Sequence, residues 1–343
     1  MNINETILSD LGEVEYCGKD KIINFINEKN FKKRQEAAIK IIERLLKAHG
    51  KEGLLGCLAD LAEVEHAIRE LQWWVRDHVV HALLTHILGL YINEKWLTPT
   101  QGICVDSFQW RLASLMHDIA YPSEVGINIM NRLSDKINEL KEIHGISNNK
   151  VGFLVTPIGF DELENNRNSF DLIQDRIAEW ELSIDVRKEY DDTIKSGRIC
   201  HGMISALSVL QVIDSLYQKY NPKRELKEIK SNGLDWNQRY FNDDVVSACT
   251  AIYIHNLPIK CFQKGKIDCT KAPLGFLLKL ADCLQEWERP SQKNPKGYSS
   301  DKFDIYVTDD SKLVLSADIP KNRKDEINIE ITSCLEKPYV EVV

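Results

Sequence analysis

No stretch of this chain is both apolar enough and long enough to cross a bilayer. The longest, Val79 to Ile92, is interrupted by His81 and His86 and falls short of the roughly 20 residues a spanning helix needs. There is no C-x-x-C pair and no dense cysteine framework. The nine cysteines are scattered, as suits reduced thiols, several of them plain core residues. The opening Met-Asn-Ile-Asn-Glu-Thr lacks a basic start followed by an apolar run, so no signal peptide is expected and a cytoplasmic location is. Positive charge is short as well: 44 Lys and Arg stand against 52 Asp and Glu, and a formal charge of -8 speaks against broad nucleic-acid binding. It leaves a phosphate substrate open, because a bound metal can supply positive charge locally.

What is present is an ordinary globular balance, 43% apolar and 28% charged over 343 residues, enough for one large domain with a small appendage. Residues 1–70 read as N-terminal helices packed on the core, two of them between Lys19 and a cap at His49-Gly50. Lys32-Lys33-Arg34 reads as a solvated helix face. Helices are expected over 53–70, over 71–93, and from Asp106 to the turn before Pro122. Further ones are expected over 124–143, 170–196, 199–219, 242–256 and 273–287. Residues 145–170 look like an exposed excursion within an insertion spanning about 126–198, and 221–240 are charged and turn-rich. After Pro290 a Pro/Gly/Ser/Lys linker leads to a β-rich appendage over 291–343. Phe303–Val307 and Leu313–Ala317 form a hairpin around Asp309-Asp310 there, and 327–331 and 339–343 are candidate strands. The expected fold class is mainly α with this small C-terminal β unit.

Chemistry concentrates at His117-Asp118, an imidazole and a carboxylate at the end of an apolar run. An unpaired buried carboxylate is costly, and a divalent metal would satisfy both residues at once. The dipeptide alone is weak, since a capping or salt-bridged pair is its more ordinary explanation. Its weight comes from residues on other expected helices: His78 and His81, three apart on one face, His201 opening a helix, and His255 ending another. Asp282 adds to them, following an apolar run on the face that should point inward. Each histidine taken singly is better explained as a core residue satisfied by a carbonyl.

The order His…His-Asp…His…His…Asp resembles the HD-domain superfamily of metal-dependent phosphohydrolases. Arg76-Asp77-His78-x-x-His81 is similar to the family's first-histidine helix, Leu115-Met116-His117-Asp118-Ile119-Ala120 to its dyad, and Ala281-Asp282-x-Leu284-Gln285-Glu286-Trp287 to its terminal aspartate helix. The resemblance covers about 70–290 and implies an HD-type helical bundle over 71–290. It implies metal ligands at His81, His117, Asp118 and Asp282, with His201 and His255 matching the extra pair of two-metal members. Asp118 is then the bridging carboxylate, and Asp118 and His117 are the catalytic dyad. His81 is preferred to His78 as first ligand because a small residue, here Ala82, usually follows that histidine. His78 is left beside the metal or facing substrate. Two departures stand out: Tyr121-Pro122 follow Ala120 where many hydrolytic members carry a lysine, and the His-Gly-Tyr-Pro signature of cyclic dinucleotide hydrolases is missing.

Mixed imidazole and carboxylate ligation suits one or two ions of Mn, Fe, Ni, Co or Zn, with Mg less favoured. No proposed ligand is a cysteine, which argues against a structural zinc site. Arg76, Lys279 and Arg289 are candidate cations for the phosphate of a small phosphorylated substrate, such as a nucleotide. A surface or salt-bridging role competes for each of them. Trp73, Trp74 and Trp287 could stack on a base or simply fill the core. The expected activity is phosphate-ester hydrolysis. The alternatives are a non-catalytic nucleotide-binding HD module and a di-iron oxygenase with a similar ligand set.

Overall fold

The computed structural model describes residues 2–343 except 12–13, 15, 49–53, 57, 59–60, 62, 66–75, 146–149, 154–155, 164–166, 220–239 and 291–293. The cap expected at His49-Gly50, most of the helix expected over 53–70, Trp73 and Trp74, and the stretch 221–239 lie outside the described residues. The start of the linker does too.

Helices α1 (Ile3–Leu11), α2 (Lys19–Asn27) and α3 (Phe31–Lys47) each bury one apolar stripe, in α3 the set Ala38, Ile41, Ile42, Leu45 and Leu46. Lys32 and Lys33 are exposed as expected, but Arg34 turns inward to an ion pair with Glu288 at 2.6 Å. Helix α4 (His78–Ile92) is apolar on every side, and all of it except Leu90 is buried, as a helix without a polar face must be. Asp77 begins it by accepting from the Val80 backbone N–H at 3.0 Å. Helix α5 (Ser107–Met116) crosses α4 closely at Gly89. A Cβ there would stand 1.8 Å from Trp110 Cζ2, and Trp110 Nε1 donates to the His86 carbonyl at 3.0 Å.

Helix α6 (Tyr121–Ile143) follows after a single turn. Pro122 sits in its first turn, where a missing N–H leaves no bond unmade, so the proline starts the second helix rather than merely ending the first. The described residues of 145–168 are largely exposed and hold a short antiparallel pair, β1 (Glu162–Leu163) with β2 (Arg167–Asn168). The helical stretch expected over 170–196 is two helices, α7 (Ser169–Glu179) and α8 (Val186–Lys195), the second capped by Asp185. Helices α9 (His201–Lys219), α10 (Val246–His255) and α11 (Pro273–Leu284) complete the body. Helix α10 is its centre, buried over its whole length and packed against α5, α7, α9 and α11, while α11 also packs on α4. No helix among the described residues is long and apolar enough to cross a membrane.

The C-terminal part carries β3 (Phe303–Val307), β4 (Leu313–Ala317) and β5 (Val340–Val342), with β3 and β4 antiparallel as expected and β5 parallel to β4. Parallel neighbours need a crossover, and α12 (Lys321–Cys334) supplies it. The strand expected over 327–331 is therefore wrong. Ile327, Ile329 and Ile331 alternate like a strand, but Ile327, Ile331 and Cys334 are buried at helical spacing and Ile329 is 57% exposed. Helix α12 packs on α11, and the strands share one continuous apolar core with the helices. The protein is thus mainly α, with a small three-stranded C-terminal sheet.

Candidate metal centre

Asp106 starts α5 by accepting from the backbone N–H groups of Phe108 and Gln109 at 2.8 and 3.1 Å, and the helix runs out at Met116. His117 follows, with Nδ1 2.7 Å from the Ser114 carbonyl, one of the oxygens that a last helical turn leaves without an intrahelical donor. His255 ends α10 in the same manner, with Nδ1 2.6 Å from the Ile252 carbonyl. His201 opens α9. Glu124 of α6 accepts both its backbone N–H at 2.9 Å and its Nδ1 at 2.7 Å. His81 lies in the first turn of α4, with Nδ1 2.6 Å from Gln285 Oε1 just past the end of α11.

Each of these four histidines commits Nδ1 to an oxygen and leaves Nε2 to face the same space. The Nε2 atoms of His117 and His81 stand 3.4 and 3.6 Å from Asp118 Oδ2, and those of His201 and His255 stand 3.1 and 3.6 Å from Oδ1. Asp282 Oδ1 joins the first group, 3.0 Å from His81 Nε2 and 4.0 Å from His117 Nε2. Two groups result, His81–His117–Asp118 and Asp118–His201–His255, and within each the ligand atoms lie no more than 4.8 Å apart.

The donor set fits a cation. The Nε2 atoms of His81 and His117 are 3.1 Å apart, and with both rings protonated at Nδ1 two lone pairs face each other there. His255 Nε2 is buried without a hydrogen-bond partner. Burial pushes the Asp118 carboxyl up, but His117, His201 and His255 outweigh it and hold Asp118 well below the usual carboxylate range. Asp282 is held low against burial in the same way, chiefly by His81. Burial and then Arg76 push His81 down to about 3, and burial lowers His117 as well. For His201 burial is overcome by Asp118 and Glu124, which hold the imidazole well above its ordinary value. Neutral imidazoles and ionised carboxylates are what a divalent ion requires of its ligands.

His78 stands beside the cluster rather than in it. Its Nδ1 is 2.5 Å from Glu65 Oε1, and its ring stacks on Tyr121 at 3.6 Å. Tyr121 in turn meets His201 edge-on at 5.6 Å. Arg76 is buried and donates to Gln285 Oε1 and, at 2.8 Å, to the Gln285 carbonyl, with Nη1 4.0 Å from Asp282. Lys279 does not face the site. It donates to the His255 carbonyl at 2.9 Å and to Glu330 of α12 at 2.6 Å, because three residues fall about 60° short of a full helical turn and carry it round to α12. Arg289 is partly exposed and sits 3.7 Å from Glu286. Trp287 is a core residue, with Nε1 3.1 Å from Asn4 Oδ1. Glu124, Gln285, Glu65 and Tyr121 were given no role by the motifs, although Tyr121 and Gln285 each lie three residues past a proposed ligand, Asp118 and Asp282. A cavity of about 360 Å³ shares His81, Arg76 and Gln285 with the site and is lined elsewhere by Phe31, Arg34 and Trp287 among others.

Compared with known protein families, curated proteins and solved structures, the chain matches none of them.

Proposed function

We propose that the protein is a metal-dependent phosphohydrolase of the HD type, cleaving a phosphate ester of a nucleotide or a related small molecule. The observation that carries this reading is the place of Asp118 in both ligand groups, one carboxylate oxygen facing each. His81, His117, Asp118 and Asp282 would hold one ion, and Asp118, His201 and His255 the other. When bound, divalent ions supply an acidified water as nucleophile and positive charge for the phosphoryl oxygens. The chain's own part is to keep Asp118 ionised, to keep the His81 and His117 rings neutral, and to fix each of the four rings through its Nδ1 partner. The imidazole-rich set suits Mn, Fe, Co, Ni or Zn.

A second reading, di-iron oxygen chemistry, is favoured by one observation. Arg76 and Lys279 are both committed to other partners, whereas phosphoryl transfer draws on nearby cations. Metal analysis by mass spectrometry, beside a phosphoester screen, separates the two. About two redox-inert or manganese ions per chain, lost in Asp118→Ala and halved in His201→Ala, with turnover lost in both, is the expected result. Iron with oxygen consumption would move the assignment to the second reading. No metal after added Mn²⁺, with nucleotide still bound, would leave a non-catalytic binding module.

A further inference from the structure

Gln285, the residue that follows the last turn of α11, is 1% exposed and uses every polar atom of its side chain. Its Oε1 accepts from Arg76 and lies 2.6 Å from His81 Nδ1, and its Nε2 donates to the Trp287 carbonyl at 2.9 Å. In many buried amides the oxygen and nitrogen ends can be exchanged without altering the geometry. Here they cannot. A guanidinium offers only donors and a backbone carbonyl only accepts, so the end at Arg76 is oxygen and the end at Trp287 is nitrogen. An oxygen facing His81 Nδ1 then requires that nitrogen to donate, which puts the proton on Nδ1 and the lone pair on Nε2. Thr85 Oγ1 lies 3.2 Å from the same nitrogen, but a hydroxyl can donate or accept and so selects neither form.

We propose that Gln285, pinned between Arg76 and Trp287, is the positioning residue that selects the His81 tautomer and so makes Nε2 available to a cation. Arg76 acts through Gln285 and not on a substrate phosphate. The tautomer belongs to the metal-free protein; its consequence for affinity rests on the reading of the site as a metal centre.

Long-range ¹H–¹⁵N spectra of metal-free, ¹⁵N-histidine-labelled full-length protein distinguish the two tautomers, with His81→Gln identifying the signal. The wild type should show Nδ1–H at His81. Gln285→Met combined with Thr85→Val removes both neighbours of that nitrogen. It should move His81 toward the other tautomer and weaken Zn²⁺ binding, measured against a chelator, by roughly 10- to 100-fold. Gln285→Glu keeps an acceptor facing Nδ1, though it gives up the bond to the Trp287 carbonyl, and should keep the wild-type Nδ1–H signal, while thermal unfolding of the double variant separates lost affinity from a folding defect. An unchanged Nδ1–H signal in the double variant, or its loss in Gln285→Glu, overturns the proposal. A shifted tautomer in the double variant of a protein whose wild type binds no Zn²⁺ upholds the role of Gln285 and defeats the metal reading instead.

Discussion

Gly202 passes so close to His255 that a Cβ on it would stand 2.9 Å from the imidazole Cε1 and 2.9 Å from the Ile252 carbonyl. This close approach of α9 to α10 is what lets His201 and His255 reach the same oxygen of Asp118. Gly202→Ala should therefore push the His255 ring out of line at a folding cost of about 1–3 kcal/mol. Metal content should fall toward one ion per chain while the His81 group is retained. Mass spectrometry and thermal unfolding of the same sample check this, and two ions per chain in Gly202→Ala would refute it.

Cation binding should release a proton at one group and not at the other. Asp118 and Glu124 hold His201 well above its ordinary value without metal, whereas burial lowers His81 and His117. The raised value of His201 also means that its contribution to metal-free stability is complete below the unfolded histidine pKa of about 6.5. That contribution disappears as the pH rises through the folded value. Zn²⁺ titration calorimetry in buffers of different ionisation enthalpy should show about one proton released for the His201 group. The release should vanish in His201→Ala; equal release in wild type and variant would contradict the assignment.

The Lys279–Glu330 pair ties the C-terminal helix to the end of the His255 helix, since Lys279 also donates to the His255 carbonyl. Burial raises the Glu330 carboxyl, but Lys279 overrides this and holds it below the ordinary range. A depressed carboxylate stabilises the fold above its unfolded pKa, about 4.3, and loses that effect as the pH falls through the folded value. Glu330→Gln should lower stability at pH 7 by about 1 kcal/mol, since water screens the half-exposed carboxylate, and the gap from wild type should close on acidification. Urea unfolding across pH 3 to 7 measures the gap, and a gap independent of pH would rule out the pair as its source.

Gly89→Ala should be the more damaging glycine substitution. Its Cβ would overlap Trp110 at 1.8 Å, and that indole is fully buried and tied by Nε1 to the His86 carbonyl. Spreading α4 from α5 would separate His81 from His117. A loss of about 3 kcal/mol or more is expected in urea unfolding. A loss below that for Gly202→Ala would show that the two helices can yield at this point.

The helical body was legible because its apolar residues recur at three and four and because Asp106 marks a helix start, whereas the helix expected over 71–93 begins only at His78, behind an Asp77 cap that was not read. The six ligand candidates were legible as a spaced pattern, and α4, α5, α9, α10 and α11 bring them together. What the pattern could not show is how the rings are aimed. Gln285 meets His81 across 204 residues and Glu124 meets His201 across 77, so neither pairing leaves a local trace. Lys279 misled because lying three residues from Asp282 places it nearby without fixing what it faces. The isoleucines of α12 misled because alternation over five residues fits a strand, while burial follows the helical spacing of Ile327, Ile331 and Cys334.

The four ring anchors are not equally open to change. His117 and His255 lean on the Ser114 and Ile252 carbonyls, which every amino acid provides, so no single side-chain replacement at those acceptors removes them. His81 and His201 lean on Gln285 and Glu124, whose side chains can be exchanged. One anchor in each ligand group is therefore part of the main chain, and one is adjustable. Variation in ion preference or affinity, by natural drift or by directed selection, should gather at positions 124 and 285 rather than at 114 and 252.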